Sequence, residues 1–163
     1  MRPSTRSSPG NVEVVDSVDR RLLDALRANA RATYAELARA VGLSAPAAHE
    51  RVAKLEAAGV ITGYHAAIAP EALGYAMNAL IGIFLNDTAD TEEITSSLAA
   101  LPVVEDCWFV AGEETFVVKV RVPDVAGLER AIRDLNAIPG VARTRTTVVL
   151  STKFEDRAPP AGS

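Results

Sequence analysis

The chain has 163 residues, of which 48% are hydrophobic and 23% charged, and its formal net charge is −4 at pH 7. This composition is typical of a globular protein and excludes a disordered chain. The single cysteine, Cys107, excludes an internal disulfide, and with two histidines it leaves too few ligands for a typical structural zinc site. The longest apolar run, residues 79–85, is too short to span a membrane. We therefore expect a cytoplasmic protein of one or two domains without a cofactor or metal.

Charge is distributed unevenly along the chain. Residues 1–64 contain nine Arg or Lys and seven Asp or Glu, a balance of +2, whereas residues 65–163 contain eight and fourteen, a balance of −6. This asymmetry indicates that any anionic partner would contact the first half of the chain. The opening residues, MRPSTRSSPGN, are basic but lack the apolar run of a signal peptide, so a flexible tail is expected over residues 1–15.

Three short helices are predicted in residues 16–62. The segment DSVDRRLLDALRANA has apolar residues at helical spacing. Thr33, followed three residues later by Glu36, forms a capping box that begins the second helix, and Gly42 supplies its left-handed end. Ser44 caps a third helix that carries a proline in its first turn. Val60 and Ile61 then predict a short strand or wing.

The turn between the second and third helices has only three residues, GLS, which is the helix-turn-helix plan. In that plan the second helix of the pair enters the major groove of DNA, and its N-terminal residues reach base edges. We expect Arg51 and Lys54 to contact phosphates, and His49 or Glu50 to reach a base. A three-helix bundle that binds nothing is the alternative. The candidate DNA-contacting residues are Thr33, Ser44, Ala45, Pro46, Ala47, His49, Glu50, Arg51 and Lys54.

The second half alternates strand and helix patterns in the order βαββαβ, which is the ferredoxin-like plan. The strands are predicted in MNALIGIFLN, VVEDCWFVAG, TFVVKVRVP and RTRTTVVLST, and the helices in TEEITSSLAA and DVAGLERAIRDLNA. The fold class is therefore α+β. It comprises an N-terminal (winged) helix-turn-helix domain over 16–62, a linker over 63–78, a ferredoxin-like domain over 79–155, and a C-terminal tail over 156–163.

An internal repeat supports this topology. The segment LAALPVV at 98–104 matches LNAIPGV at 135–141, with a constant offset of 37 residues. In each copy we expect a helix to end, a proline to prevent its continuation, and a valine to begin the next strand.

Two helices cover only one side of a four-stranded sheet, so an uncovered apolar face is expected. Such a face normally marks an interface, and we predict that two chains pack sheet against sheet. A dimer also suits the helix-turn-helix, because two recognition helices then reach half-sites about 34 Å apart or a multiple of that. The side chains expected to compete for cover are Ile81, Ile83, Cys107, Phe109, Val117 and Val149, with Leu80, Phe84, Trp108, Phe116, Val118 and Val120.

From Asp16 to Asp156 the chain resembles the Lrp/AsnC family, the feast/famine transcription regulators of bacteria and archaea. The resemblance rests on DRRLLDALRANARATYAELARAVGLS, HERVAKLEAAGVITGYHAAIAPEALGY and VAGEETFVVKV. It implies a homodimer that binds double-stranded DNA, assembles further into a tetramer or octamer, and is nucleoid-associated. The ferredoxin-like module is called the RAM domain in this family.

The resemblance also implies a non-covalently bound amino-acid effector, held by the loop between the second and third strands. A glycine in this loop allows close approach of a ligand, backbone amides can hold a carboxylate, and a glutamate can face an ammonium group. Many relatives have an aspartate where this chain has Thr115, and a tyrosine where it has Phe116. The alternative is a hairpin with two solvated glutamates. The candidate effector-binding residues are Ala111, Gly112, Glu113, Glu114 and Thr115, with Thr144 and Thr146 on the last strand as weaker candidates.

Two other functions compete with a sensing regulator. An enzyme is disfavoured because no nucleotide-binding glycine motif or metal-ligand cluster is present, and Cys107 is expected to be a buried, unreactive thiol. An architectural protein that compacts DNA without sensing would share every DNA-binding feature, and the threonine at position 115 is its best argument. Loss of DNA binding, leaving a sensing or assembly module, is disfavoured by Arg51 and Lys54.

Overall fold

The computed structural model of the chain describes residues 15–155. These divide into two compact units, one formed by residues up to Ala67 and from Phe154 onward, the other by Ile68–Lys153. The predicted tails, 1–15 and 156–163, lie outside the described residues except for Val15. The elements are α1 (Ser17–Ala28), α2 (Tyr34–Val41), α3 (Ala45–Ala57), a 3-10 turn (Pro70–Leu73), β1 (Met77–Leu85), α4 (Thr91–Ala99), β2 (Val104–Phe109), β3 (Phe116–Val122), α5 (Val125–Asn136) and β4 (Val141–Val149).

The first unit is the predicted set of three helices, packed around a small apolar core. Leu22, Leu37 and Val52, one from each helix, are fully buried in that core. Each helix begins at a side-chain cap: Asp16 on α1, Thr33 with Glu36 on α2, and Ser44 on α3. The predicted capping box and left-handed Gly42, with φ of 74°, are confirmed.

The predicted wing after α3 is wrong. Among the described residues no strand occurs before Met77. The N–H groups of Val60 and Ile61 donate instead to the carbonyl of Leu55, at 2.9 and 3.1 Å, and so close the end of α3. Ile61 also packs against the helical core, so it is not available to form a hairpin.

The second unit is a four-stranded antiparallel sheet in the order β2-β3-β1-β4, with α4 and α5 packed on one side. The predicted βαββαβ order is confirmed. The core lies between sheet and helices and includes Ile81, Val118, Leu98 and Leu135, all fully buried. Because the side chains of a strand alternate between faces, each strand contributes every second residue to this core.

The internal repeat produces the same turn twice, as predicted. Helix α4 ends at Ala99 and α5 at Asn136, and β2 and β4 begin at Val104 and Val141, each pair 37 residues apart. Equivalent hydrogen bonds close the two turns, from Val104 N–H to Leu101 O at 3.0 Å and from Val141 N–H to Ile138 O at 3.1 Å.

The sheet face away from the helices carries both apolar and charged side chains, so it is less apolar than expected. Five of the twelve side chains named for it lie beneath the helices, buried in the core: Ile81, Ile83, Phe116, Val118 and Val120. These residues occupy every second position of β1 and β3 and pair with one another across the two strands. They therefore all point to the same side of the sheet, where the two helices cover them. The open face carries ion pairs from Glu105 to Lys119 at 3.0 Å and to Arg121 at 2.6 Å. The strand register places five apolar side chains there as well: Leu80, Phe84, Trp108, Val117 and Val149.

Candidate functional sites

Helix α3 presents one polar face to solvent and buries the other. Ala48, Val52 and Leu55 are buried at intervals of three and four residues. Pro46, His49, Glu50 and Lys54 are exposed on the opposite side, while Ala45 and Ala47 are half-buried near the start of the helix. The small side chains at that end leave the backbone accessible, as close approach to a DNA groove requires.

Two of the candidate DNA-contacting hydroxyls are occupied by helix capping. Thr33 Oγ1 donates to Glu36 Oε2 at 2.8 Å, and its backbone N–H donates to the same oxygen at 2.7 Å. These two bonds lower the pKa of Glu36, the backbone bond more strongly. Ser44 Oγ accepts from the Ala47 N–H at 3.3 Å. Both side chains therefore fix the starts of α2 and α3, whatever else they contact.

The structure gives Arg51 a role that differs from the expected phosphate contact. Its Nη1 lies 2.7 Å from Asp16 Oδ2 and 2.7 Å from Asp19 Oδ1, and its side chain is only 35% exposed. The hydrogen bonds that Arg51 donates to Asp19 and Asp16 raise the pKa of Arg51. A guanidinium held by two carboxylates is largely neutralised, so Arg51 ties α3 to the start of α1. The phosphate contact expected of Arg51 stays a prediction.

Lys54 and His49 remain on the exposed face of α3. Lys54 Nζ lies 3.0 Å from Glu50 Oε1, but both side chains are about 70% exposed, and such pairs contribute little and exchange readily. His49 packs edge-on against the ring of Tyr34, with ring centroids 4.6 Å apart. Tyr34, at the start of α2, was not identified from the sequence, because no short-range pattern predicts a contact across the turn.

The loop between β2 and β3 is held by the sheet at its ends. Thr115 N–H donates to Ile83 O at 2.9 Å, and Val110 N–H donates to Thr115 O at 3.1 Å. Ala111, Gly112 and Glu113 are exposed between these bonds. This arrangement leaves a short accessible stretch of backbone at the position expected for an effector.

The two glutamates of this loop face Arg145, which no local sequence pattern places beside them. Arg145, on β4, forms an ion pair with Glu114 through Nη2, and its Nη1 lies 3.6 Å from Glu113 Oε2. Glu113 is 79% exposed, whereas Glu114 is only 14% exposed. The alternative of two solvated glutamates therefore describes Glu113 but not Glu114.

Cross-strand register brings Arg145 to the loop. Arg145 pairs with Gly82 of β1, and the Glu114 side chain lies across that glycine. A Cβ at position 82 would be 2.6 Å from Glu114 Cγ, so any other residue there would displace the Glu114 side chain. The sequence shows both residues but not that they are neighbours.

The two threonines predicted on the last strand lie on the opposite face of the sheet from Glu114 and Arg145. Thr144 and Thr146 pair with Ile83 and Ile81, whose side chains point to the helices. Thr144 Oγ1 accepts from Asn136 Nδ2 of α5 at 3.0 Å. Because strand residues alternate between faces, these threonines and Glu114 do not line a common pocket within one chain.

Cys107 is solvent-exposed rather than buried. It lies on the edge strand β2, where Glu105 to Phe109 are all exposed. Partial burial raises the pKa of its thiol, which favours the unreactive protonated form. Among residues 15–155 no three metal-ligating side chains cluster, and no helix has the length and apolarity to cross a membrane.

Comparisons with known proteins agree with both units. Residues 15–56 match the AsnC-type helix-turn-helix domain, and residues 78–159 match the Lrp/AsnC ligand binding domain. The chain belongs to the Lrp/AsnC family. The family consists of transcriptional regulators, so the interpretation as a DNA-binding regulator rather than an enzyme is confirmed.

Individual Lrp/AsnC relatives match over almost their whole length. The transcriptional regulator LrpA of Mycobacterium tuberculosis is 40% identical over 89% of this chain and 96% of its own. The regulatory protein AsnC of Escherichia coli is 34% identical over 84% and 91%. A solved structure of a feast or famine regulatory protein from M. tuberculosis, complexed with L-methionine, superposes with a TM-score of 0.84 at 39% identity. It covers 90% of this chain and 99% of its own.

Proposed function

We propose that this Lrp/AsnC regulator binds specific DNA sites as a homodimer or larger homo-oligomer, and that a free amino acid bound at residues 111–115 changes its assembly. The observation that carries the proposal is the pairing of two sites in one chain. One is a capped helix with an exposed polar face, and the other is an accessible loop beside oppositely charged side chains. It acts in the cytoplasm, on the DNA of the nucleoid.

Helix α3 supplies the DNA contacts in this proposal. Pro46, Ala47 and His49 lie nearest its N-terminal end, which is the end that reaches base edges in helix-turn-helix complexes. Lys54 leaves its exposed ion pair with Glu50 and contacts a phosphate instead. Arg51 is withdrawn from the phosphate contacts because Asp16 and Asp19 hold it.

The chemistry of the loop supports an amino acid as the effector. A free amino acid presents one ammonium and one carboxylate, and the loop region offers carboxylates, a guanidinium and exposed backbone amides. The complex of the M. tuberculosis relative with L-methionine supports the same ligand class. Coupling to DNA follows from linkage, since a ligand that prefers one assembly state shifts the population toward it.

The test measures mass by light scattering, with and without each of the twenty standard amino acids, followed by DNA binding under the same conditions. We expect one or a few amino acids to change the assembly state and the pattern of bound sites. A stable oligomer that binds DNA but is indifferent to all twenty would contradict sensing and favour a DNA-compacting protein. Failure to bind DNA would contradict the proposal outright.

A further inference from the structure

Helices α2 and α3 are connected across their turn by two aromatic side chains. Tyr34 is the first residue of α2, and His49 lies near the start of α3. The two rings are edge-on, with centroids 4.6 Å apart and planes at 81°. Aromatic rings prefer this arrangement because the positive edge of one ring faces the negative face of the other. The contact therefore restricts rotation of the imidazole on an otherwise exposed face of the helix.

The ring nitrogens of His49 have no partner among the described residues. Within residues 15–155, no hydrogen bond or ion pair involves this imidazole. The side chains one helical turn away are apolar, so none of them competes for the nitrogens: Ala45, Pro46, Val52 and Ala53. An imidazole has at least one N–H donor in either protonation state. His49 thus presents a donor whose direction is restricted by Tyr34 and which is available to an external acceptor.

The position of His49 on α3 suits an acceptor on a base. Pro46 and Ala47, which precede it, are too small to keep the helix away from a groove. In the major groove, guanine presents two adjacent acceptors, N7 and O6. Adenine presents one acceptor beside a donor, thymine one acceptor beside a methyl group, and cytosine a donor. A single N–H in a restricted direction favours guanine, because either of two neighbouring atoms can accept it.

We propose that His49 recognises a guanine through N7 or O6 in the major groove, and that Tyr34 is the positioning residue that holds the imidazole for this contact. This inference rests on the proposed binding of specific DNA sites by α3, and it names the base and the two residues that select it. Tyr34 acts through His49 rather than on the base. The ring of Tyr34 suffices for this role, since its hydroxyl forms no hydrogen bond within residues 15–155.

The experiment selects binding sites for the full chain from a library of random duplex DNA and then measures affinity for the selected site by fluorescence anisotropy. We expect a G·C pair at one position of each half-site. His49→Ala should remove that preference and weaken binding to the selected site about 10- to 100-fold, with binding to random DNA unchanged. Replacement of that G·C pair by A·T should weaken the wild type to a similar extent and leave His49→Ala unaffected.

Variants of Tyr34 separate positioning of the imidazole from folding of the helices. Tyr34→Phe keeps the ring and should retain the guanine preference. Tyr34→Ala should reduce the ratio of affinities for G·C and A·T at that position by about three- to tenfold. It should have no further effect on this ratio in a protein that already carries His49→Ala. Loosening of the helices would lower the affinity for every site and would not single out one base pair.

Two residues provide matched controls. Tyr75 is 42% exposed, against 41% for Tyr34, and His65 is the other histidine of the chain. Tyr75→Ala and His65→Ala remove the same chemical groups from outside the α2–α3 pair. Both variants should retain the guanine preference of the wild type.

Several outcomes contradict the proposal. A His49→Ala protein that selects the same sites as the wild type would show that His49 reads no base. A base other than guanine at the affected position would overturn the assignment to guanine. An unchanged affinity ratio in Tyr34→Ala would show that Tyr34 does not position the imidazole. A wild-type protein that selects no site at all would overturn the proposed binding of specific DNA, and the role of both residues with it.

Discussion

Two arginines in this molecule each face two carboxylates, yet the surroundings of the carboxylates differ. Arg51 contacts Asp16 and Asp19 at 2.7 Å each, and both aspartates also take part in the capping box of α1. Asp16 Oδ1 accepts the backbone N–H groups of Val18 and Asp19 at 2.8 Å. Around Arg51, the acids are thus held in place by the helix that they cap.

The carboxylates around Arg145 lack that support. Within the described part of the chain, no backbone N–H donates to Glu113 or Glu114, and Arg145 itself is 56% exposed. An arginine between two acids is held in a fixed position when backbone N–H groups also bind those acids. When no backbone group binds the acids, only the arginine holds them in place.

The largest expected effect tests whether Glu114 is fixed by the sheet. Gly82→Ala should lower the free energy of unfolding by about 1–3 kcal/mol, because the added Cβ meets Glu114 Cγ within a packed face. Urea denaturation followed by the fluorescence of Trp108, the single tryptophan, reports on this unit. Gly112→Ala is the control, since its Cβ would meet nothing closer than 3.8 Å and it should unfold like the wild type. Equal stability of the two variants would show that Glu114 does not rest on β1.

The ion pairs of Arg51 with Asp16 and Asp19 should matter for recognition of a specific DNA sequence rather than for electrostatic attraction to DNA. Arg51→Gln removes the tie between α3 and the start of α1, so we expect affinity for a specific site to fall roughly tenfold, because the recognition helix loses its fixed orientation. The dependence of the binding constant on salt concentration should not change. Fluorescence anisotropy with specific and random DNA over a range of salt concentrations measures both. A lower salt slope would return Arg51 to the phosphate contacts.

Lys54→Gln is the counterpart on the same helix, with a smaller effect. Because Lys54 is exposed and its pair with Glu50 is weak, we expect it to bind phosphate. Its loss should weaken binding to specific and random DNA alike and reduce the salt slope by about one unit. An effect confined to the specific site would instead indicate a base contact.

The smallest effect concerns pH. The Asp19 N–H and then the Arg51 guanidinium lower the pKa of Asp16, so its folded pKa lies below the unfolded value. A depressed pKa stabilises the fold above the unfolded value of about 3.9, and this stabilisation is lost as the pH falls through the folded pKa. Thermal melts from pH 6 to pH 2.5 should therefore show a smaller acid-induced drop for Asp16→Asn, which retains a capping oxygen, than for the wild type. Identical drops would mean that Asp16 contributes nothing to acid sensitivity.

Local patterns predicted most of the fold because their causes are local. Thr33 with Glu36, Ser44 and Gly42 specify where helices begin and end, and the proline repeat specifies two turns. The predicted wing is wrong although Val60 and Ile61 have strand propensity, because their N–H groups donate to Leu55 O at the end of α3. A helix end and a strand start compete for the same amides, and short-range pattern does not decide between them.

The candidate sites were less predictable because they depend on pairing between distant residues. Arg51 was expected to be a surface charge, because its partners lie more than thirty residues earlier in the chain. Arg145 was missed, and Thr144 and Thr146 were placed beside the loop, because a shift of one residue in register exchanges the two faces of a strand. Gly82 lies opposite Arg145 only because of that register.

The pairing of the first strand with the last sets the order in which this protein folds during synthesis. The three helices make their contacts within about fifty residues, so they can pack while the second half is still being translated. In the sheet unit, β1 runs beside β4, with Asn78 opposite Val149. Until residues 141–149 leave the ribosome, one edge of β1 exposes unpaired backbone groups. A chain that stops before that point would therefore yield a folded DNA-binding unit attached to an aggregation-prone sheet.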